Sequence, residues 1–189
     1  MTTFAPTLYA RTFPRSNARL RDFMLVFSGA IFVALLAQIK ILLPFTPVPL
    51  TGQTFAVLLI GATLGSKRGT ASMVLYTLLG AFGLPVFAGG AAGMAYLTGA
   101  TLGYLVGFVM AAYLIGMLAE RGLERSLRTS LVPFLVGTLV IYLFGAGWLA
   151  ILFGVERALA LGVLPFLIGD LIKMILAALA LPAAWKLVR

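Results

Sequence analysis

The sequence predicts an all-α integral membrane protein, a compact bundle of six transmembrane helices with both termini cytoplasmic. Three observations predict it. Of 189 residues, 62% are hydrophobic and 10% are charged, against about 45–50% and about 25% in an ordinary soluble domain. A chain this short has too much surface for its volume to hide so many apolar residues from water, so lipid must be the solvent for most of it. The apolar residues also fall into runs, and at about 20 residues per span six spans fit with short connections. Finally, the basic residues gather in segments that six spans would place on one side.

The elements follow in order. Residues 1–22 read as a polar, irregular cytoplasmic tail carrying Arg11, Arg15, Arg19 and Arg21 with Pro6 and Pro14. A signal peptide would show a shorter basic region and a small-residue cleavage site after its apolar stretch, so the tail is expected to be retained. Residues 23–189 form the six-helix transmembrane domain. Its first helix is expected over 23–43, ended by Pro44, Pro47 and Pro49, which fix φ and remove donors. Shorter apolar runs over 53–65 and 69–83 flank Gly65-Ser66-Lys67-Arg68. A Gly/Ala-rich loop over 84–98 lets the backbone approach a ligand closely. The fourth helix, 99–119, opens with Gly99, Gly103 and Gly107, whose spacing makes a smooth face for a neighbouring helix. The fifth and sixth helices are expected over 131–153 and 161–183.

Charge orients the bundle. With the N-terminus inside, the inner segments hold Arg11, Arg15, Arg19, Arg21, Lys67, Arg68, Arg121, Arg125, Arg128, Lys186 and Arg189, eleven of the fourteen basic residues. Outside remain Arg157 and, at the outer end of the first helix, Lys40; Lys173 lies within the membrane. This orientation satisfies the positive-inside rule and its inverse violates it. The same grouping argues against nucleic acid as a partner, despite the net charge of +9, because no basic groove is formed.

Chemistry is bounded by absences. There is no cysteine and no histidine, which removes disulfides, thiolate or imidazole metal ligation, and nucleophilic or acid–base chemistry through those side chains. No G-x-x-x-x-G-K-[ST] phosphate loop occurs, so energy must come from a partner or an ion gradient. The two halves show no matching interrupted helices of the inverted-repeat kind. An enzyme or a channel is the weaker class, for want of a catalytic cluster or rings of charge.

The informative pair is Asp170 and Lys173, three residues apart on one helix face. A charge inside the span costs several kcal/mol unless paired or facing a polar cavity. One reading is a self-neutralising structural pair; the other is a cavity where Asp170 accepts from ligand N–H groups and Lys173 supplies positive charge. The second is preferred, since a self-cancelling pair is a costly way to build a lipid-packed helix. Lys40 is either a snorkelling lysine or a ligand contact. Gln53 and Thr54 stand where the proline loop re-enters the membrane and are placed to meet a ligand or cap a helix. Tyr96 is a candidate contact from the glycine-rich loop, where tyrosines more often pack or mark the interface. Ala30 and Ala34 are spaced for close helix contact, either within the bundle or with another membrane subunit.

Four segments carry a resemblance. They are Pro47-Val48-Pro49-Leu50-Thr51-Gly52-Gln53-Thr54, Leu84-Pro85-Val86-Phe87-Ala88-Gly89-Gly90, Leu97-Thr98-Gly99-Ala100-Thr101-Leu102-Gly103-Tyr104-Leu105-Val106-Gly107-Phe108, and Pro165-Phe166 through Gly169-Asp170-Leu171-Ile172-Lys173. In order and spacing, over about residues 23–185, they resemble the biotin-specific substrate-binding (S) subunits of energy-coupling factor transporters, the BioY family. The resemblance implies a six-helix, high-affinity biotin-binding protein of a prokaryotic plasma (inner) membrane, without cofactor or catalysis. It also implies a transmembrane coupling subunit and ABC-type ATPase subunits as partners, although some members act alone. It assigns Asp170 and Lys173 to biotin, and Ala30 and Ala34 to docking of the coupling subunit. The chain departs from the family at Ala100, usually Pro, and at Leu102, often Gly. Its 84–98 loop has no Asn or Arg. An S subunit for another small vitamin is the alternative nearest to this reading.

Overall fold

A computed structural model of the chain describes residues 3–13 and 17–188; Pro14, Arg15 and Arg189, which belong to the expected tail and basic end, lie outside the described residues. The expected irregular tail contains a helix, α1 (Phe4–Thr12), and α2 (Ala18–Ala37) begins where Asn17 accepts a hydrogen bond from Arg19 N at 2.9 Å. Such an N-cap satisfies one of the helix's orphan donors, so the first long helix starts before the apolar run that announces it.

That helix also stops at Ala37, six residues short of the expected end at Leu43. The apolar residues beyond it are extended: β1 (Lys40–Ile41) pairs antiparallel with β2 (Leu50–Thr51), Lys40 opposite Thr51 and Ile41 opposite Leu50. Pro44 disfavours helical backbone at the residue before it, and the three prolines close a small hairpin. Gly52 finishes the turn with its backbone against α2. A Cβ there would stand 2.7 Å from the Leu36 carbonyl oxygen, so a side chain at Gly52 would push the hairpin off the helix.

From this corner the chain enters α3 (Gln53–Leu64) and α4 (Ser66–Ala81). Gly65 alone joins them, at φ +85°, a backbone region nearly closed to other residues. The Glu120 carboxylate accepts from Ser66 N at 2.8 Å and Ser66 Oγ at 2.9 Å, capping α4. The loop over 84–93 folds back onto α4, with the Phe87 ring buried against Gly80 and stacked on Tyr96 at 5.0 Å. A short helix, α5 (Met94–Leu97), leads to α6 (Leu102–Glu120).

α6 packs most extensively on α7 (Leu127–Phe153). Gly103 and Gly107 make this possible, since a Cβ on Gly103 would strike the Phe144 carbonyl and one on Gly107 would lie 3.1 Å from Ile141 Cα. Gly99 does not join that face. It precedes the helix, and its carbonyl accepts from Trp148 Nε1 at 2.9 Å.

The expected sixth helix, 161–183, starts later than expected, and a separate short helix fills the expected loop before it. α8 (Val155–Gly162) and α9 (Leu167–Val188) are separated by a 3₁₀ turn at Leu164–Phe166. Pro165 explains the break: it has no N–H and restricts the residue before it. Hydropathy runs through the break unchanged, because nothing in it is polar.

Among the described residues, four apolar stretches are long enough to cross a membrane: Ala18–Ala37, Leu102–Glu120, Leu127–Phe153, and Val155–Lys186, which joins α8 to α9. Large apolar side chains face outward along them, Leu35, Leu143, Ile151 and Ile168 among them. The chain is an all-helical, multi-pass membrane protein apart from its two-residue strands. α3, at 12 residues, is shorter than a span, and most of it is buried among the other helices.

Candidate ligand-binding site

The break before α9 places Asp170 in that helix's first turn, where the helix dipole favours a negative charge. Asp170 is 5% exposed. Its Oδ1 accepts from Thr54 Oγ1 and Lys173 Nζ, both at 2.9 Å, and its Oδ2 accepts from Tyr142 OH at 2.7 Å. Three of roughly four lone-pair sites of the carboxylate are therefore used by protein, and the remaining one belongs to Oδ2.

Lys173 is committed more completely. Its ammonium donates to Thr51 O at 2.7 Å, Thr54 Oγ1 at 2.9 Å and Asp170 Oδ1 at 2.9 Å. An ammonium has three hydrogens, and these three bonds account for all of them. The pair is therefore both a buried ion pair and part of a cavity wall, which joins the two readings that the sequence left open.

The cavity lies between β2, α3, the loop before α6, α6, α7 and α9. Aromatic walls come from Tyr96, Tyr104, Phe108 and Phe166, with polar groups from Gln53, Thr54, Tyr142, Asp170 and Lys173. The space between its lining atoms, including the part open to solvent, is about 500 Å³. A water's centre can occupy only about 40 Å³ of it, so a vitamin-sized ligand requires the lining to part. The polar groups are mostly poised to accept. Tyr104 OH donates to Gly162 O at 2.6 Å and Tyr142 OH donates to Asp170, leaving both phenol oxygens with lone pairs. Gln53 is held by Thr51 Oγ1, which donates to its Oε1 at 3.1 Å, and by Tyr76 OH, 2.6 Å from its Nε2.

The sequence candidates thus divide. Asp170, Lys173, Gln53, Thr54 and Tyr96 line one cavity. Lys40 does not line it; it is exposed, and its Nζ donates to Ala88 O at 3.4 Å while its stem packs on Gly89. Ala30, expected on a docking surface, is 1% exposed within the core, and Ala34 is half-buried. The face they share turns toward the bundle, where α2 packs on α3 and α4.

Tyr142 is the contact that sequence reasoning missed. It stands 28 residues from Asp170, and the available signal was a phenol in the interior of a long apolar helix, away from either interface where tyrosine normally sits. Tyr142 and Asp170 also line a second, larger groove of about 1460 Å³ between α7, α8 and α9. Their hydrogen bond is part of the partition between the two.

The description of the BioY family matches residues 10–189. A probable biotin transporter BioY of Pyrococcus horikoshii is 46% identical over 124 residues, covering 64% of this chain and 71% of that one. The biotin transporter BioY of Rhizobium etli is 36% identical over 145 residues, 71% of this chain and 76% of that one. The crystal structure of the S-component for biotin from an ECF-type ABC transporter superposes with a TM-score of 0.78 at 27% identity, covering 90% of this chain and 94% of that one. The extent of the family match, across both the α3–α9 cavity and the helices that frame it, shows that the chain belongs to the BioY family.

Proposed function

We propose that this chain takes up biotin as the membrane-embedded, biotin-binding S subunit of an energy-coupling factor transporter. Its role is binding and transport, as in its family, and not catalysis. The observation that carries the reading is Asp170: a buried carboxylate with one remaining lone pair, set in an aromatic cavity whose other polar oxygens also accept. Biotin offers the complementary parts, a urea ring with N–H donors, an apolar bicycle and chain, and a carboxylate. In this arrangement Asp170 Oδ2 accepts from a urea N–H. Lys173, its donors spent within the protein, positions Asp170 and neutralises it. The exposed Lys40, with donors to spare among the described residues, is the better candidate for the ligand carboxylate.

The six-span, both-termini-cytoplasmic arrangement of residues 23–189 belongs to the same proposal. Arg11, Arg21 and Arg68 share one cavity with Glu120, and Arg125 covers Trp185 near the end of α9. These placements support a single basic end, which the positive-inside rule puts in the cytoplasm of a prokaryote. A coupling subunit and ABC-type ATPase subunits are the proposed partners, since the chain has no nucleotide-binding loop of its own. Docking through Ala30 and Ala34 would require α2 to separate from its neighbours.

The test is a saturable, one-to-one isotherm for biotin on the detergent-purified chain, with competition by other vitamins. Binding that biotin alone competes for supports the reading. Displacement by another vitamin at lower concentration would reassign the ligand, and a non-saturable signal would refute a binding subunit.

A further inference from the structure

A second polar cavity lies at the opposite functional pole of the molecule and shares no lining residue with the Asp170 cavity. It is enclosed by α1 and the adjoining ends of α2, α4 and α6, has about 880 Å³ of space, and is lined by Arg11, Arg21, Arg68, Glu120, Thr3 and Thr7 among others.

Its charges do not cancel. Arg21 and Arg68 both direct Nε at the same oxygen, Asp22 Oδ1, at 3.1 and 2.9 Å. Glu120 is occupied with Ser66. Arg11 forms no ion pair among the described residues. Three guanidiniums thus face two carboxylates, and the hydrogen bonds that Arg21 and Arg68 make among the described residues use Nε alone. Their Nη hydrogens remain, and a planar fork of such donors matches the oxygens of a phosphate.

The depth of the cavity is set by the residues around it. α1 exposes Leu8, Phe13 is exposed just after it, and the first turns of α2 expose Leu20 and Phe23. Apolar surface begins at this level, so the arginines stand where lipid headgroups lie. Basic pockets between helix ends at this depth suit anionic headgroups.

We propose that this arginine-lined cavity binds a phosphate-bearing anion, supplied by the headgroup of an anionic phospholipid, and that the lipid ties α1 to the bundle. The test is native mass spectrometry of the purified chain with phosphatidylglycerol or zwitterionic phosphatidylcholine, comparing wild type with Arg11→Gln and Arg68→Gln. Thermal unfolding serves as the control for folding. The proposal expects wild type to retain phosphatidylglycerol in preference, with a loss of about fivefold per arginine removed, at about 1 kcal/mol for each basic residue near the surface, and no displacement by millimolar inorganic phosphate. Displacement by inorganic phosphate, lost in both variants, would keep the phosphate site but make the free anion its source. Arg11→Gln is exposed and spares the Asp22 pairs, so it decides the matter if Arg68→Gln unfolds. Equal retention of both lipids by folded wild type and Arg11→Gln, with no response to phosphate, would overturn the site.

Discussion

Lys173 holds Asp170 at 2.9 Å while its other two hydrogens go to Thr51 O and Thr54 Oγ1, so the lysine binds the acid to the β2–α3 corner. A ligand accepting from Lys173 would have to displace a protein acceptor. A ligand donating to Asp170 would not. This asymmetry gives the two charges different roles, acceptor and positioning residue.

Lys173→Ala is therefore expected to act through Asp170. Removing one partner of a buried pair costs about 3–5 kcal/mol, because the remaining charge is uncompensated. Thermal unfolding should show that loss, and adding Asp170→Asn should recover part of it. A double variant as unstable as the sum of the single ones would mean the two side chains do not act as a pair.

Tyr142→Phe removes a 2.7 Å bond to Oδ2 while keeping the ring. Biotin affinity should fall by roughly tenfold, since a hydrogen bond to a charged group contributes about 1.5–3 kcal/mol. Unchanged affinity by titration would exclude Tyr142 from orienting the acid.

Gly103→Ala should destabilise the bundle by about 1–3 kcal/mol, as overpacking does, because the new methyl meets the α7 backbone at Phe144. Gly147→Ala is the comparison: nothing lies within 4 Å of its added Cβ, and replacing a helical glycine should gain about 0.5–1 kcal/mol. Equal unfolding temperatures for the two variants would contradict the α6–α7 contact.

Glu124 sits fully buried in the turn between α6 and α7, 3.5 Å from Arg125 Nε. Burial pushes its carboxyl above the usual range, against the pull of Arg125. A carboxyl with a raised native pKa contributes stability that is complete below its unfolded pKa and is lost as pH rises through the native one. Glu124→Gln should therefore melt higher than wild type at pH 8, with the gap narrowing toward pH 4. A gap that widens with acid would reverse the assignment.

Much of this was legible in the chain. The membrane class followed from composition, and the Asp170–Lys173 pair from its i, i+3 spacing. What escaped depended on contacts between distant segments. Spacing showed that Ala30 and Ala34 share a face but not that the face turns inward, which only the packing of α2 on α3 and α4 decides. The extended stretch after Ala37 and the break at Pro165 were hidden by unbroken hydropathy, although prolines marked both. Lys40, read as a snorkelling lysine or a ligand contact at the end of a helix running through Leu43, stands instead in the extended stretch after the turn at Ala37, beside the 84–98 loop.

The most direct test of the account is calorimetric titration of biotin into detergent-purified wild type and Asp170→Asn. Asparagine keeps the shape and removes the charge. The account expects tight one-to-one binding in wild type and a roughly ten- to hundredfold weaker affinity in the variant, the range for a hydrogen bond to a charged group. A folded Asp170→Asn that binds biotin as tightly as wild type would contradict it.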